Sequence, residues 1–193
     1  MTAKDGNYIA YVPNAVTLIR IACIPLFVLI YVITEEWHWV AGLLFGFAAA
    51  TDWLDGYIAR KWEVDSKFGA FLDPVADKLI VITALVLLVG SYASVWITIP
   101  AIVICARELF VSALREWMAE MNRRSIVNVS LVGKVKTAIQ MIAIFALLCN
   151  PVDIDLPLVI AGIVLLYIAT LMTIWSMVVL LRAAWPDLMP FRE

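Results

Sequence analysis

Four aspartates, Asp52, Asp55, Asp73 and Asp77, stand as two pairs spaced i, i+3 and i, i+4 in a chain whose neighbouring stretches are largely apolar. An ionised Asp at the centre of a bilayer costs roughly 2.5–3.5 kcal/mol, so a group of four calls for a cation, a water-filled cavity or both. No Cys or His accompanies them, and carboxylates alone are hard oxygen ligands that favour Mg²⁺ or Mn²⁺ over zinc. On a helix turning 100° per residue, Asp52, Asp55, Gly56, Ala59 and Arg60 fall within an arc of about 140°. Gly69, Asp73 and Asp77 form an i, i+4, i+8 stripe. The small residues Gly56, Ala59 and Gly69 keep these faces low in bulk, as the approach of a nucleotide diphosphate to bound metal would require. The plainer reading pairs the acids with Arg60, Lys61, Lys67 and Lys78 at an interfacial hairpin. That suits one such Asp better than four at this spacing.

The elements that must carry these residues are long apolar helices. Hydropathy divides the chain into six spans, 12–34, 38–60, 69–90, 94–117, 131–149 and 156–182, each near the ~20 residues that cross a hydrocarbon core. Lipid cannot satisfy open backbone groups, so an all-α fold follows. The second and third spans, joined by the polar Lys61–Lys67 connector, pack as antiparallel neighbours and converge their acidic faces. Pro74 is comfortable only in a first helical turn, which predicts that the third helix starts near Phe71 or kinks there. With no repeat, linker or low-complexity stretch, residues 1–193 read as one domain.

Composition agrees: 64% of residues are hydrophobic, 16% are charged and the mean hydropathy is +0.97, whereas soluble domains carry about 25% charged residues. The first segment keeps Pro13, Asn14 and Arg20 and runs into further spans, so it is expected to be retained rather than cleaved. Cys23, Cys105 and Cys149 have no CxxC spacing and suggest neither a zinc site nor a disulfide. The net charge of −2 without a basic tract argues against nucleic acid as a partner. The turns at Glu35–His38, Gly90–Ser94 and Cys149–Asp155 contain no Lys or Arg, so all 14 basic residues fall on the other side. By the positive-inside rule both termini are then cytoplasmic, with Trp37, Trp39 and Trp96 in an aromatic belt at the far interface. His38, Asp153 and Asp155 lie on that far side, away from the acids.

The string Asp52-Trp-Leu-Asp55-Gly56-Tyr-Ile-Ala59-Arg60, eight residues, Gly69-Ala-Phe-Leu-Asp73-Pro-Val-Ala-Asp77 resembles the signature of the CDP-alcohol phosphatidyltransferase family at every fixed position. Further stretches resemble bacterial members of that family: Pro13-Asn14 through Thr17 to Arg20, Ala106-Arg107-Glu108, Ser112 through Arg115-Glu116, and Gly133-Lys134-Val-Lys136-Thr137. The resemblance implies a six-helix membrane bundle, usually a homodimer, whose polar cavity opens to the cytoplasm and sideways to membrane lipids. It places such an enzyme in the bacterial inner membrane, with CDP-diacylglycerol as donor and glycerol 3-phosphate as acceptor. It further implies that Asp52, Asp55 and Asp73 ligate one or two Mg²⁺ ions at the diphosphate. Gly56, Ala59, Arg60 and Gly69 would line the CDP site. Asp77 would be both close to the metal and the general base.

Glycerol 3-phosphate carries a phosphate dianion, which asks for cations beside the acidic cluster. Arg107, Ser112 and Arg115 share one side of the fourth helix. Lys134 and Lys136 stand about 200° apart, so one can face inward while the other snorkels to headgroups. Arg123 and Arg124 suit contacts to anionic lipid. Asn14, Thr17 and Arg20 recur every third residue on the first helix, where they can bind the nucleotide or its phosphates, or serve as cap and interfacial anchors. Other readings stand beside this one: a family member using inositol phosphate, serine or phosphatidylglycerol, a catalytically dead lipid-binding relative, or a divalent-cation transporter. A transporter needs polar residues along a route to the far face, and the spans beyond Lys78 offer almost none.

Overall fold

The computed structural model describes the backbone of residues 6–33, 38–62, 67–121 and 131–188; within these, the side chains of 6–16, 52–62, 67, 68, 70, 131, 132, 134 and 186–188 fall outside the described set. Among the described residues there are six α-helices and no strand. They are α1 (Gly6–Ile33), α2 (His38–Trp62), α3 (Lys67–Tyr92), α4 (Val95–Glu120), α5 (Leu131–Cys149) and α6 (Pro157–Leu188).

The helices overrun the apolar spans by as much as six residues at an end, at Gly6 and at Leu188, because hydropathy measures apolar depth whereas a helix continues into polar surroundings wherever its own hydrogen bonds persist. Of the two forms expected of the third helix, the late start is not adopted: the helix begins at Lys67, not near Phe71, and Pro74 lies inside it. The proline has no N–H, so the Ala70 carbonyl loses its helical donor just where the acidic stripe begins.

Two of the helices, Val95–Glu120 and Pro157–Trp185, are long and apolar enough to cross a membrane. Apolar side chains also cover outer faces, among them Val86, Leu109, Leu171 and Trp175, each more than 60% exposed. The core lies between the helices, where Phe27, Phe45, Leu85, Leu88, Ile104, Ile144 and Leu147 are fully buried. Helix α1 packs on α2 and α3, α5 on α2, α3 and α6, and α4 on α3 and α6.

Close approach of α2 to α5 depends on the Gly42-xxx-Gly46 pair, since small residues let backbones meet where dispersion rather than water drives association. A Cβ on Gly46 would sit 2.9 Å from the Phe145 ring, and one on Gly42 only 3.1 Å from the Cys149 nitrogen. These contacts set an antiparallel register, Gly42 with Cys149 and Gly46 with Phe145. Continued along both backbones, it brings the Asp52–Asp55 turn of α2 to the depth of Lys136 and Gln140 on α5. At the other end of the bundle the Tyr92 hydroxyl donates to the carbonyls of Leu147 and Pro151, at 3.2 and 3.3 Å, tying the end of α3 to that of α5.

Candidate active site

Helices α1 and α3 run parallel at the acidic end, and their polar residues meet in matched register. The Thr17 hydroxyl donates to Asp73 Oδ1 at 2.5 Å, and one turn further Arg20 Nη1 donates to Asp77 Oδ1 at 2.9 Å. Thr17 and Arg20 are buried, 1% and 2% exposed, so neither is an interfacial anchor. The i, i+3 spacing on one helix answers the i, i+4 spacing on the other. Two acids that would be costly at this depth thereby gain donors, one of them a full positive charge. Gly69, first in the same stripe, is buried as well.

Sequence reasoning missed this pairing, which joins residues 56 and 57 positions apart. The hairpin alternative had assigned Lys78 to the acids; instead its ammonium hydrogen-bonds Ser112 Oγ and ties α3 to α4.

On the facing helices the charge is of the other sign. Arg107 is buried and its Nη1 donates to Glu108 Oε1 at 2.7 Å, while Lys136, 2% exposed, stands 3.9 Å from the same oxygen. Glu108, Arg107 and Arg115 all lie within electrostatic range of Lys136. One carboxylate therefore serves two buried cations. Among the described residues, Lys136 Nζ and Arg107 Nε are left buried without a hydrogen-bond acceptor, an arrangement costly unless an anion completes it. Arg115 is exposed, on the rim of this cluster. Lys136 is thus an inward lysine. The side chains of Lys134, Asn14, Asp52, Asp55, Gly56, Ala59 and Arg60, and all of Arg123 and Arg124, lie outside the described residues.

Two further residues belong to this region and were not singled out beforehand. Glu108 is the counter-charge that holds both cations. Gln140, one turn beyond Lys136 on the same face, is 3% exposed, and its amide oxygen has no partner among the described residues. An i, i+4 spacing from Lys136 was the only signal for it.

The donor chemistry fits a divalent ion. Asp73 and Asp77 are partly exposed carboxylates on successive turns, one oxygen of each oriented by α1. Hard oxygen ligands of this kind suit Mg²⁺ or Mn²⁺. Among the described residues no three Asp, Glu, His or Cys side chains gather at one point; the other candidate ligands, Asp52 and Asp55, are outside that set.

Partly exposed acids at one end of the helical bundle thus stand with a buried cationic cluster on the facing helices. The sequence profile of the CDP-alcohol phosphatidyltransferases matches residues 10–182, and the chain belongs to that family. Among its relatives is the CDP-diacylglycerol--glycerol-3-phosphate 3-phosphatidyltransferase of Yersinia pestis (strain Pestoides F), 51% identical over 179 residues, which make up 92% of this chain and 97% of the relative. Proteins of the same name from Pectobacterium atrosepticum and Escherichia coli (strain K12) are 51% and 48% identical over the same shares of each chain.

Proposed function

We propose that this protein transfers the phosphatidyl group of CDP-diacylglycerol to the 1-hydroxyl of sn-glycerol 3-phosphate, giving phosphatidylglycerophosphate and CMP. Family membership supports phosphatidyl transfer, and the names of relatives at about 50% identity support the acceptor. The observation that carries the reading within this chain is the buried, acceptor-seeking pair Lys136 and Arg107, which suits a phosphorylated alcohol and has nothing to offer a neutral one.

Asp52, Asp55, Asp73 and Asp77 would hold one or two Mg²⁺ or Mn²⁺ ions. Bound there, the metal offsets the charge of the donor's diphosphate and eases departure of CMP. Asp77 accepts the proton of the acceptor's 1-hydroxyl as that oxygen bonds to the phosphatidyl phosphorus in line with the breaking bond to CMP. Arg20 orients Asp77, and Thr17 orients Asp73. These α1 residues, expected on the nucleotide, act in this reading through the acids they hold. Gly56, Ala59, Arg60, Gly69 and Asn14 receive the CDP moiety. Lys136 and Arg107 take the acceptor phosphate with Arg115 and Lys134 at its rim, which sets the distance between that phosphate and the attacking oxygen.

The same reading makes residues 1–193 one membrane domain with six spans, both termini and the active site on the cytoplasmic side of the bacterial inner membrane, and a homodimer as the working unit. The two long apolar helices and the widely exposed apolar faces support the membrane setting, and the one-sided distribution of Lys and Arg supports the orientation.

CMP release from CDP-diacylglycerol by purified protein, with Asp73→Asn beside it, tests the reading. Release should require both Mg²⁺ and glycerol 3-phosphate and vanish in the variant, because a neutral amide cannot replace the lost ligand charge. Undiminished release by Asp73→Asn at ordinary Mg²⁺ would remove the metal assignment.

A further inference from the structure

At the end of the bundle remote from the acids, helices α1, α2 and α3 enclose a cavity of about 630 Å³. It is separated from Asp77 by the 13 residues of α3 up to Gly90, about 20 Å along a helix. Its polar wall is made by Tyr31, His38 and Ser91. Tyr31 is 5% exposed with its hydroxyl beside Ser91, and among the described residues His38 Nδ1 is buried with no hydrogen-bond partner. The two rings meet edge to face at 5.0 Å, which holds the imidazole in place. The apolar wall includes Val32 and Val86, 65% and 62% exposed on the outer surface, so the cavity opens sideways. Gly90 lines it as well, and a Cβ there would meet nothing within 4 Å.

Buried polar atoms are ordinarily satisfied, and a cavity of this size with a few convergent polar groups is the usual form of a small-ligand site. We infer that this cavity binds the headgroup of a zwitterionic, amine-bearing phospholipid from the far leaflet. The inference rests on the membrane setting proposed above. A phenol, a serine hydroxyl and an imidazole N–H can each donate to the oxygens of a phosphodiester. None of the described lining residues is Lys or Arg, so an additional negative charge would find no counter-ion among them. Asp153, next in the chain to the lining residue Val152, is exposed; its carboxylate, which accepts from the Asp155 N–H, carries the opposite preference and favours an ammonium group at this end of the bundle. The acyl chains would leave past Val32 and Val86, where apolar surface already faces outward.

The test uses the full-length protein in mixed micelles, with native mass spectrometry counting retained synthetic phosphatidylethanolamine. Wild type should hold one molecule; Gly90→Leu, which adds bulk at a lining position where a Cβ has open space, should hold it at least tenfold more weakly. His38→Ala should weaken retention as well, through loss of a polar contact rather than of space. CMP release from CDP-diacylglycerol, measured on the same samples, should be unchanged in both variants. Equal retention by wild type, Gly90→Leu and His38→Ala would overturn the site, as would equal or preferred retention of anionic phosphatidylglycerol by wild type. Loss of CMP release in wild type itself would break the phosphatidyl-transfer reading and leave the lipid counts to decide this one.

Discussion

Arg20 meets Asp77 at 2.9 Å across α1 and α3, with the arginine side chain 1% exposed and the carboxylate 43% exposed. The cation is thus fixed inside the bundle, and the acid it holds faces outward from it. Arg20→Ala removes a charge-assisted hydrogen bond worth roughly 1.5–3 kcal/mol. If that bond orients Asp77 in the reaction, kcat/KM for CMP release should fall about 10- to 150-fold. Arg20→Lys keeps the charge but not the planar fork and should recover only part of the loss. Wild-type kinetics in Arg20→Ala would show that Asp77 needs no such partner.

The two lysines near the start of α5 should behave differently. Lys136 is buried beside Arg107 and Glu108, so Lys136→Ala or Arg107→Ala leaves an acceptor phosphate short of a charged partner. A loss of roughly 1.5–3 kcal/mol corresponds to about 10- to 150-fold in kcat/KM for glycerol 3-phosphate. The KM for CDP-diacylglycerol should change much less, and Lys134→Ala should be the milder of the two lysine variants. Normal glycerol 3-phosphate saturation in both Lys136→Ala and Arg107→Ala would place the phosphate elsewhere.

Packing of α2 on α5 gives a stability prediction that is independent of the chemistry. The Cβ introduced by Gly42→Ala would lie 3.1 Å from backbone nitrogen of Cys149, which cannot turn aside as a side chain can. Overpacking of this kind costs about 1–3 kcal/mol. Thermal unfolding in detergent should show a lowered midpoint for Gly42→Ala, while Gly90→Ala, placed in open space, should stay near wild type.

Orientation is open to a direct assay. Reporter domains fused after Glu35 or after Asp153 should read outside, and fusions after Lys61 or Arg124 inside. The reverse pattern would contradict the inference from the 14 basic residues and put the acids on the wrong side of the membrane.

The helices were legible in the sequence because lipid permits so few alternatives: a long apolar run has to be helical whatever it packs against. Their ends were less legible, since residues 6–11 and 183–188 continue helices beyond the apolar depth that hydropathy detects. Pro74 left two forms of the third helix open for a different reason. Its local penalty was visible, whereas the packing that keeps α3 continuous from Lys67 was not. The acids could be picked out from their cost and spacing alone. Their partners could not, because Thr17 with Asp73 and Arg20 with Asp77 are contacts of tertiary structure that no local pattern encodes. The choice between Lys134 and Lys136 was open for the same reason: helical periodicity sets two residues on different faces without saying which face is inside.

The most direct measurement of the central claim is a competition. Purified protein is given CDP-diacylglycerol and Mg²⁺ with equal concentrations of glycerol 3-phosphate, serine and inositol phosphate, and the lipid products are identified by mass. The account predicts phosphatidylglycerophosphate as the dominant product, with CMP released in equal amount. Dominance of phosphatidylserine or of an inositol-containing lipid would contradict the acceptor, and the absence of any new phosphatidyl product would contradict phosphatidyl transfer itself.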